Sequence, residues 1–66
     1  MEVFPGISMD SKIRFGKPCI AGTRIDVATV LGGLGSGASS DEIASEYRLT
    51  REQISAALRY AAHVAA

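Results

Sequence analysis

The chain has 66 residues, 47% of them hydrophobic, with seven basic and seven acidic side chains and a formal net charge of zero. Such a length holds one small domain that buries only about 60% of its unfolded surface. A single cysteine (Cys19) and a single histidine (His63) exclude an internal disulfide and a four-ligand zinc site, which leaves a partner chain as the natural support for so small and apolar a fold.

Neutrality argues against strong non-specific attraction to nucleic acid, though not against a local basic face. The N-terminal run Met1-Glu2-Val3-Phe4-Pro5 carries no basic signal-peptide region, and no apolar stretch is long enough to span a membrane, so the expected location is cytoplasmic.

Residues 1–25 read as an extended arm with short strands. Ile7 and Met9 alternate with Ser8 and Asp10, as on a half-buried strand. Asp10-Ser11 is a turn signal, and Ile13-Arg14-Phe15 is then expected to be a second short strand. Strands this short need the helices, or the same strands of another copy, to persist. Phe15 to Ile25 follows, with Gly16, Pro18 and Gly22 marking turn, short extended piece, turn. Thr23 and Arg24 are placed to tie this arm to the helices by hydrogen bonds.

Asp26 is a good N-cap for a first helix over 26–36, whose apolar face is Val27, Val30, Leu31 and Leu34. Gly32, Gly33 and Gly35 weaken it by about 1 kcal/mol each relative to alanine. They read as a frayed end, with close approach of another helix as the alternative; Gly37 suits a left-handed stop. Ser39 and Glu42 form a capping box for a second helix over 40–48, with Ile43, Ala44 and Tyr47 facing inward. Thr50 and Gln53 form another for a third helix over 51–64, with Leu49 stapled on Ile54 and an inner face of Ile54, Ala57, Leu58 and Ala61.

A two-turn helix, a turn of three or four residues and a longer helix make the helix-turn-helix pattern, in which the second helix is offered to the major groove. Its outward face carries Arg51, Glu52, Ser55 and Arg59. Arg51, Ser55 and Arg59 are the candidate DNA contacts, opposed by Glu52. Lys12, Arg14, Lys17 and Arg24 are candidate phosphate or partner contacts. A capped helix pair is equally at home in a small bundle that binds no DNA.

Catalysis is not expected. Cys19 has only His63 as a prospective base and no third group, so a buried structural cysteine is the plainer reading. Asp41 and Glu42 suit the start of a helix without any metal. Gly32-Gly33-Leu34-Gly35 follows a helix rather than a strand and fails as a phosphate loop. No cofactor or metal is implied.

The run Gly16-Lys17-Pro18-Cys19-Ile20-Ala21-Gly22-Thr23-Arg24-Ile25 resembles the signature GKPxIxGTRI of small bacterial proteins that form a domain-of-unknown-function family grouped with VapB-type antitoxins. The likeness continues through Val27 to Leu31, Asp41-Glu42-Ile43, Tyr47, Leu49-Thr50 and Ala57-Leu58. It implies a mainly α, homeodomain-like three-helix domain with a short N-terminal β segment, pairing in a homodimer. It also implies the antitoxin half of a toxin–antitoxin pair, binding operator DNA, a PIN-type ribonuclease toxin, or both.

Two departures qualify this. Gly32-Gly33 stands where the family carries bulkier helix formers. The chain also stops at Ala66, so a toxin-blocking segment is expected either to be missing or to lie elsewhere on the surface. The competing expectation is a protein-interaction module that never touches DNA and docks a partner through its N-terminal arm.

Overall fold

The computed structural model describes all 66 residues. Pro5 and Gly6 make the first turn: proline fixes the first corner, and Gly6 takes the left-handed φ of +83° required at the second. This joins β1 (Glu2–Phe4) to β2 (Ile7–Ser8) as an antiparallel hairpin. The extended piece inside the Gly16–Ile25 run is a third strand, β3 (Cys19–Ile20), antiparallel to β2, so the sheet order is β1-β2-β3. The strands thus pair within one chain, and the hairpin does not need a second copy for its hydrogen bonds. A bulge between Glu2 and Phe4 breaks the register of the outer strand β1.

Two expectations about the arm are corrected. Ile13-Arg14-Phe15 is not a strand: Arg14–Gly16 form a single tight turn in which Arg14, Phe15 and Gly16 all have positive φ (51°, 58° and 81°). The amides of Gly16 and Lys17 close it by donating to the carbonyls of Ile13 and Arg14, both at 3.1 Å. Met9 does not share the inward face of Ile7; Ile7 is fully buried, whereas Met9 lies on the surface beyond the end of β2.

The helices are α1 (Val27–Gly35), α2 (Ser40–Tyr47) and α3 (Arg51–Ala65), within a residue of their expected limits once the caps are set aside. Asp26 caps α1 through the Thr29 amide, and both capping boxes are formed. After α1 the Gly37 amide donates to Leu34 and the Ala38 amide to Gly33, each at 3.1 Å, with Gly37 left-handed between them. This satisfies the last carbonyls of the helix and stops it. Arg48 plays the same part after α2 (φ 57°), and the Leu49 amide donates to Ala44. Only Arg48, Leu49 and Thr50 separate α2 from α3.

The core joins sheet and helices through Ile7, Ile20, Val27, Val30, Ile43, Leu49, Ile54, Ala56 and Ala57. Leu58 is not part of it, being 42% exposed, and Ala56 is buried instead. The reason lies in the hairpin: a Cβ on Gly6 would stand 2.9 Å from the Cβ of Ala56, so the turn sits directly on that face of α3 and rotates the inner face toward it. Phe4 reinforces the contact, edge-on to Tyr60 with ring centroids 5.5 Å apart.

The α1 glycines divide. Beside Gly32 and Gly35 there is open space, but a Cβ on Gly33 would fall 2.4 Å from Cδ1 of Ile43, so close approach of α2 accounts for that one position. Replacing Gly32 by alanine is expected to stabilise the fold by up to about 1 kcal/mol through helix propensity. Gly33→Ala gains less, because the terminal methyl of buried Ile43 must turn aside to make room. Thermal unfolding of the two variants side by side checks the contrast.

Candidate interaction surfaces

Asp26 is the one charged side chain in the buried set, at 4% exposure. Its Oδ1 accepts from the Thr29 amide at 2.8 Å; its Oδ2 accepts from Nε and Nη2 of Arg14 at 3.2 and 3.1 Å. The backbone around it is also tied to β3: the Val27 amide donates to Pro18, and the Ile20 amide to Ile25, both at 2.9 Å. The hydrogen bonds from Thr29 hold the Asp26 carboxyl below its ordinary value of 3.8; burial opposes this, and Arg14 adds to the lowering.

Arg14 is therefore not a free cation. Its guanidinium bridges the tight turn to the start of α1. That grip fixes a strained segment, since each non-glycine residue in the left-handed region costs about 1–2 kcal/mol. The product of the strain is an aromatic ring in water: Phe15 is 92% exposed, the most exposed large apolar side chain in the chain. Lys12, Lys17 and Arg24 are exposed and form no ion pair, so they are available to a partner. Thr23 does not tie the arm to the helices as expected: its hydroxyl donates to Ile20 at 2.8 Å and accepts from the Ile25 amide at 3.0 Å, both within the arm. Arg24 makes no such bond.

Next to the turn an apolar groove of about 420 Å³ runs between the start of α1 and the end of α3. Pro18, Val27, Leu31, Tyr60 and Val64 line it, and Lys17 stands at its rim. Val64 is 62% exposed.

The outward face of α3 is a separate surface. Arg51 and Arg59 are both exposed, and Ser55 lies half-buried between them in sequence. Both arginines already have carboxylate partners: Arg51 contacts Asp41 of α2 at 3.5 Å, and Arg59 bonds Glu52, about two turns earlier on α3. All four side chains are at least half exposed, so these pairs are weak and exchangeable, on the order of 0–1 kcal/mol each. Ser55, Ile54 and Leu58 share a shallow depression with Ser40, Asp41 and Arg51, which makes Leu58 an apolar neighbour of Arg51 and Ser55.

Cys19 and His63 do not meet as a pair. Cys19 is 2% exposed, its thiol donates to the Lys17 carbonyl at 3.4 Å, and burial raises its pKa. The His63 ring packs on Phe4 at 5.1 Å.

Sequence reasoning missed the Arg14–Asp26 bond, the exposure of Phe15 and the exposure of Leu58. A trace of the first was present: a cation twelve residues before an N-cap aspartate, across a stretch with two turns. Nothing in the local pattern signalled the other two, which depend on tertiary placement.

The sequence profile of the family described as "Protein of unknown function (DUF433)" matches residues 7–61, and the chain belongs to that family. No curated protein and no solved structure matches it. The matched span takes in β2, the left-handed turn, β3, the Asp26 node and α3 as far as Ala61, and leaves β1 and the last turn of α3 outside. No helix is long and apolar enough to cross a membrane.

Asp26→Asn keeps a capping oxygen and loses the charge, whereas Asp26→Ala loses both. The expected costs at neutral pH are about 1 and about 2 kcal/mol. Because the folded carboxyl titrates below its unfolded value, its contribution is complete above the ordinary value near 3.8 and drains away as pH falls through the lowered folded value. Denaturant unfolding of wild type and Asp26→Asn at neutral and at strongly acid pH should show the gap between them closing in acid. Glu42, also held low by the Ser39 amide it caps, titrates alike in both proteins and cancels from the difference.

Proposed function

We propose that this member of the DUF433 family is a non-enzymatic, antitoxin-like helix-turn-helix regulator that binds operator DNA as a homodimer and engages a PIN-type ribonuclease toxin. The observation that carries the reading is the α2–α3 unit: two capped helices joined by Arg48, Leu49 and Thr50, with Arg51, Ser55 and Arg59 along the solvent face of the second. In helix-turn-helix proteins that face enters the major groove, where arginine reads guanine and serine contacts base edge or phosphate.

The carboxylate partners of Arg51 and Arg59 fit this role. An exposed ion pair is weak enough to be exchanged for phosphate, and Asp41 and Glu52 restrain the free protein from binding DNA indiscriminately. Lys12, Lys17 and Arg24 supply further cations away from α3. Arg14 is assigned a structural role instead, since its guanidinium is committed to Asp26.

A second reading has its own support. Phe15 and the adjacent groove form an apolar surface flanked by lysines, which suits a protein partner better than a duplex. On this reading the chain docks its partner through the arm and leaves DNA alone.

Titrating the protein against the DNA upstream of its own gene separates the two. Regulator binding should weaken linearly in log K against log salt, with a slope of about −0.9 for each phosphate neutralised. Arg51→Ala should weaken binding and, if its contact is to phosphate, reduce the slope by about one. No binding at low salt, together with a stoichiometric complex with the product of the neighbouring gene, refutes the DNA reading and supports the docking one.

A further inference from the structure

We infer that two copies of this chain associate by exchanging Phe15, each ring entering the apolar groove between α1 and α3 of the other copy. The inference rests on the homodimer proposed above and names the surface that makes it.

Three observations converge. The first is the turn itself. Arg14 and Phe15 are both held at left-handed φ, yet the ring so presented touches water over 92% of its surface. Strain of this kind persists only where surrounding structure enforces it, and here the Arg14–Asp26 bond and the two turn-closing amides do so. Delivering Arg14 to Asp26 offsets the strain but does not call for an aromatic ring at the next position, facing water; a rigid, preorganised aromatic is what an interface anchor requires.

The second is the groove. At about 420 Å³ it is large enough for an aromatic side chain, and its walls are Pro18, Val27, Leu31, Tyr60 and Val64. It adjoins the anchor: Lys17 and Pro18 line it, two and three residues after Phe15. Anchor and receptor thus lie close together along the chain, and a two-fold axis between two such chains lets both rings dock at once. Such an interface is isologous and closes at two copies.

The third is charge. Lys12 and Lys17, on either side of Phe15, have no carboxylate partner. The far end of the groove is the last turn of α3, at Val64 and Ala65, on the side of the negative end of the helix dipole. A cation-flanked apolar anchor therefore meets an apolar groove with a negative end, and a net charge of zero leaves no overall repulsion between copies. The sheet edge is the poorer site, because the bulge in β1 interrupts the ladder another strand would need.

Sedimentation equilibrium over a dilution series, on wild type, Phe15→Gly and Val64→Glu, tests this. Wild type should dimerise, and Phe15→Gly should raise the dissociation constant about a thousandfold, since the symmetric dimer loses two hot spots worth about thirtyfold each. Val64→Glu, at a position already exposed in the single chain, should do the same by placing a charge in the groove. Glycine also relieves the left-handed strain, so Phe15→Gly should melt higher than wild type when both are dilute and monomeric. A ring that merely supported the fold would instead lower that melting point.

A wild-type dimer indifferent to both substitutions overturns the exchange and leaves dimerisation standing. A wild type that stays monomeric at every concentration overturns the exchange and the homodimer together, while DNA binding is judged separately by the salt titration.

Discussion

A carboxylate almost out of reach of water is the constraint on which this small structure depends. Taking such a charge from solvent costs several kcal/mol unless it is paired and hydrogen-bonded. Asp26 meets that condition from two directions, with the Thr29 amide on one oxygen and the Arg14 guanidinium on the other. The first bond starts α1; the second holds the turn that precedes β3. One side chain therefore sets where the sheet ends, where the helices begin and how the chain passes between them. The two partners are unequal. Arg14 is nearly half exposed and would rehydrate if Asp26 were lost, whereas Asp26 without Arg14 would keep a buried charge with only its cap. The aspartate is thus the more demanding half of the pair.

That arrangement explains why so short a chain tolerates a left-handed turn. Small domains have little stability to spare. The cost of two left-handed non-glycine residues is met because the same turn delivers Arg14 to Asp26. Gly16 extends the turn without a comparable penalty, and Pro18 favours the extended backbone that leads into β3. The turn also shapes the surface, since the ring it exposes and the groove beside it descend from one local conformation. The α3 face is independent of all this; its cations are tethered by weak, exposed carboxylates. The molecule thus carries two distinct surfaces, one largely ionic and one largely apolar.

What the sequence disclosed follows the range of the forces involved. Helix limits were legible because caps are local: Asp26, Ser39 with Glu42, and Thr50 with Gln53 each declare a helix start within four residues. The left-handed stop at Gly37 was legible for the same reason. The short extended piece between Gly16 and Gly22 was also visible, but not its pairing with β2, because pairing depends on partners far along the chain. Ile13 to Phe15 looked extended by composition, and the pull of Asp26 on Arg14, twelve residues away, prevailed over local preference. Leu58 fits the periodicity of the inner face and is displaced by the Gly6 turn seated on Ala56, a tertiary contact no helical period encodes. Among the candidate contacts, Arg51, Ser55 and Arg59 were legible as one outward face, while the carboxylates that hold the two arginines were legible only in part.

Cys19 adds a property of a different kind. Its thiol lies inside the sheet, bonded to a backbone carbonyl and kept in the protonated, unreactive form by burial. Any oxidant or alkylating agent must wait for β3 to lift away from β2 or from the start of α1. The chemical lifetime of this sulfur therefore depends on how often the strand opens, and in this chain of one cysteine a saturating reagent makes it an internal clock for that motion.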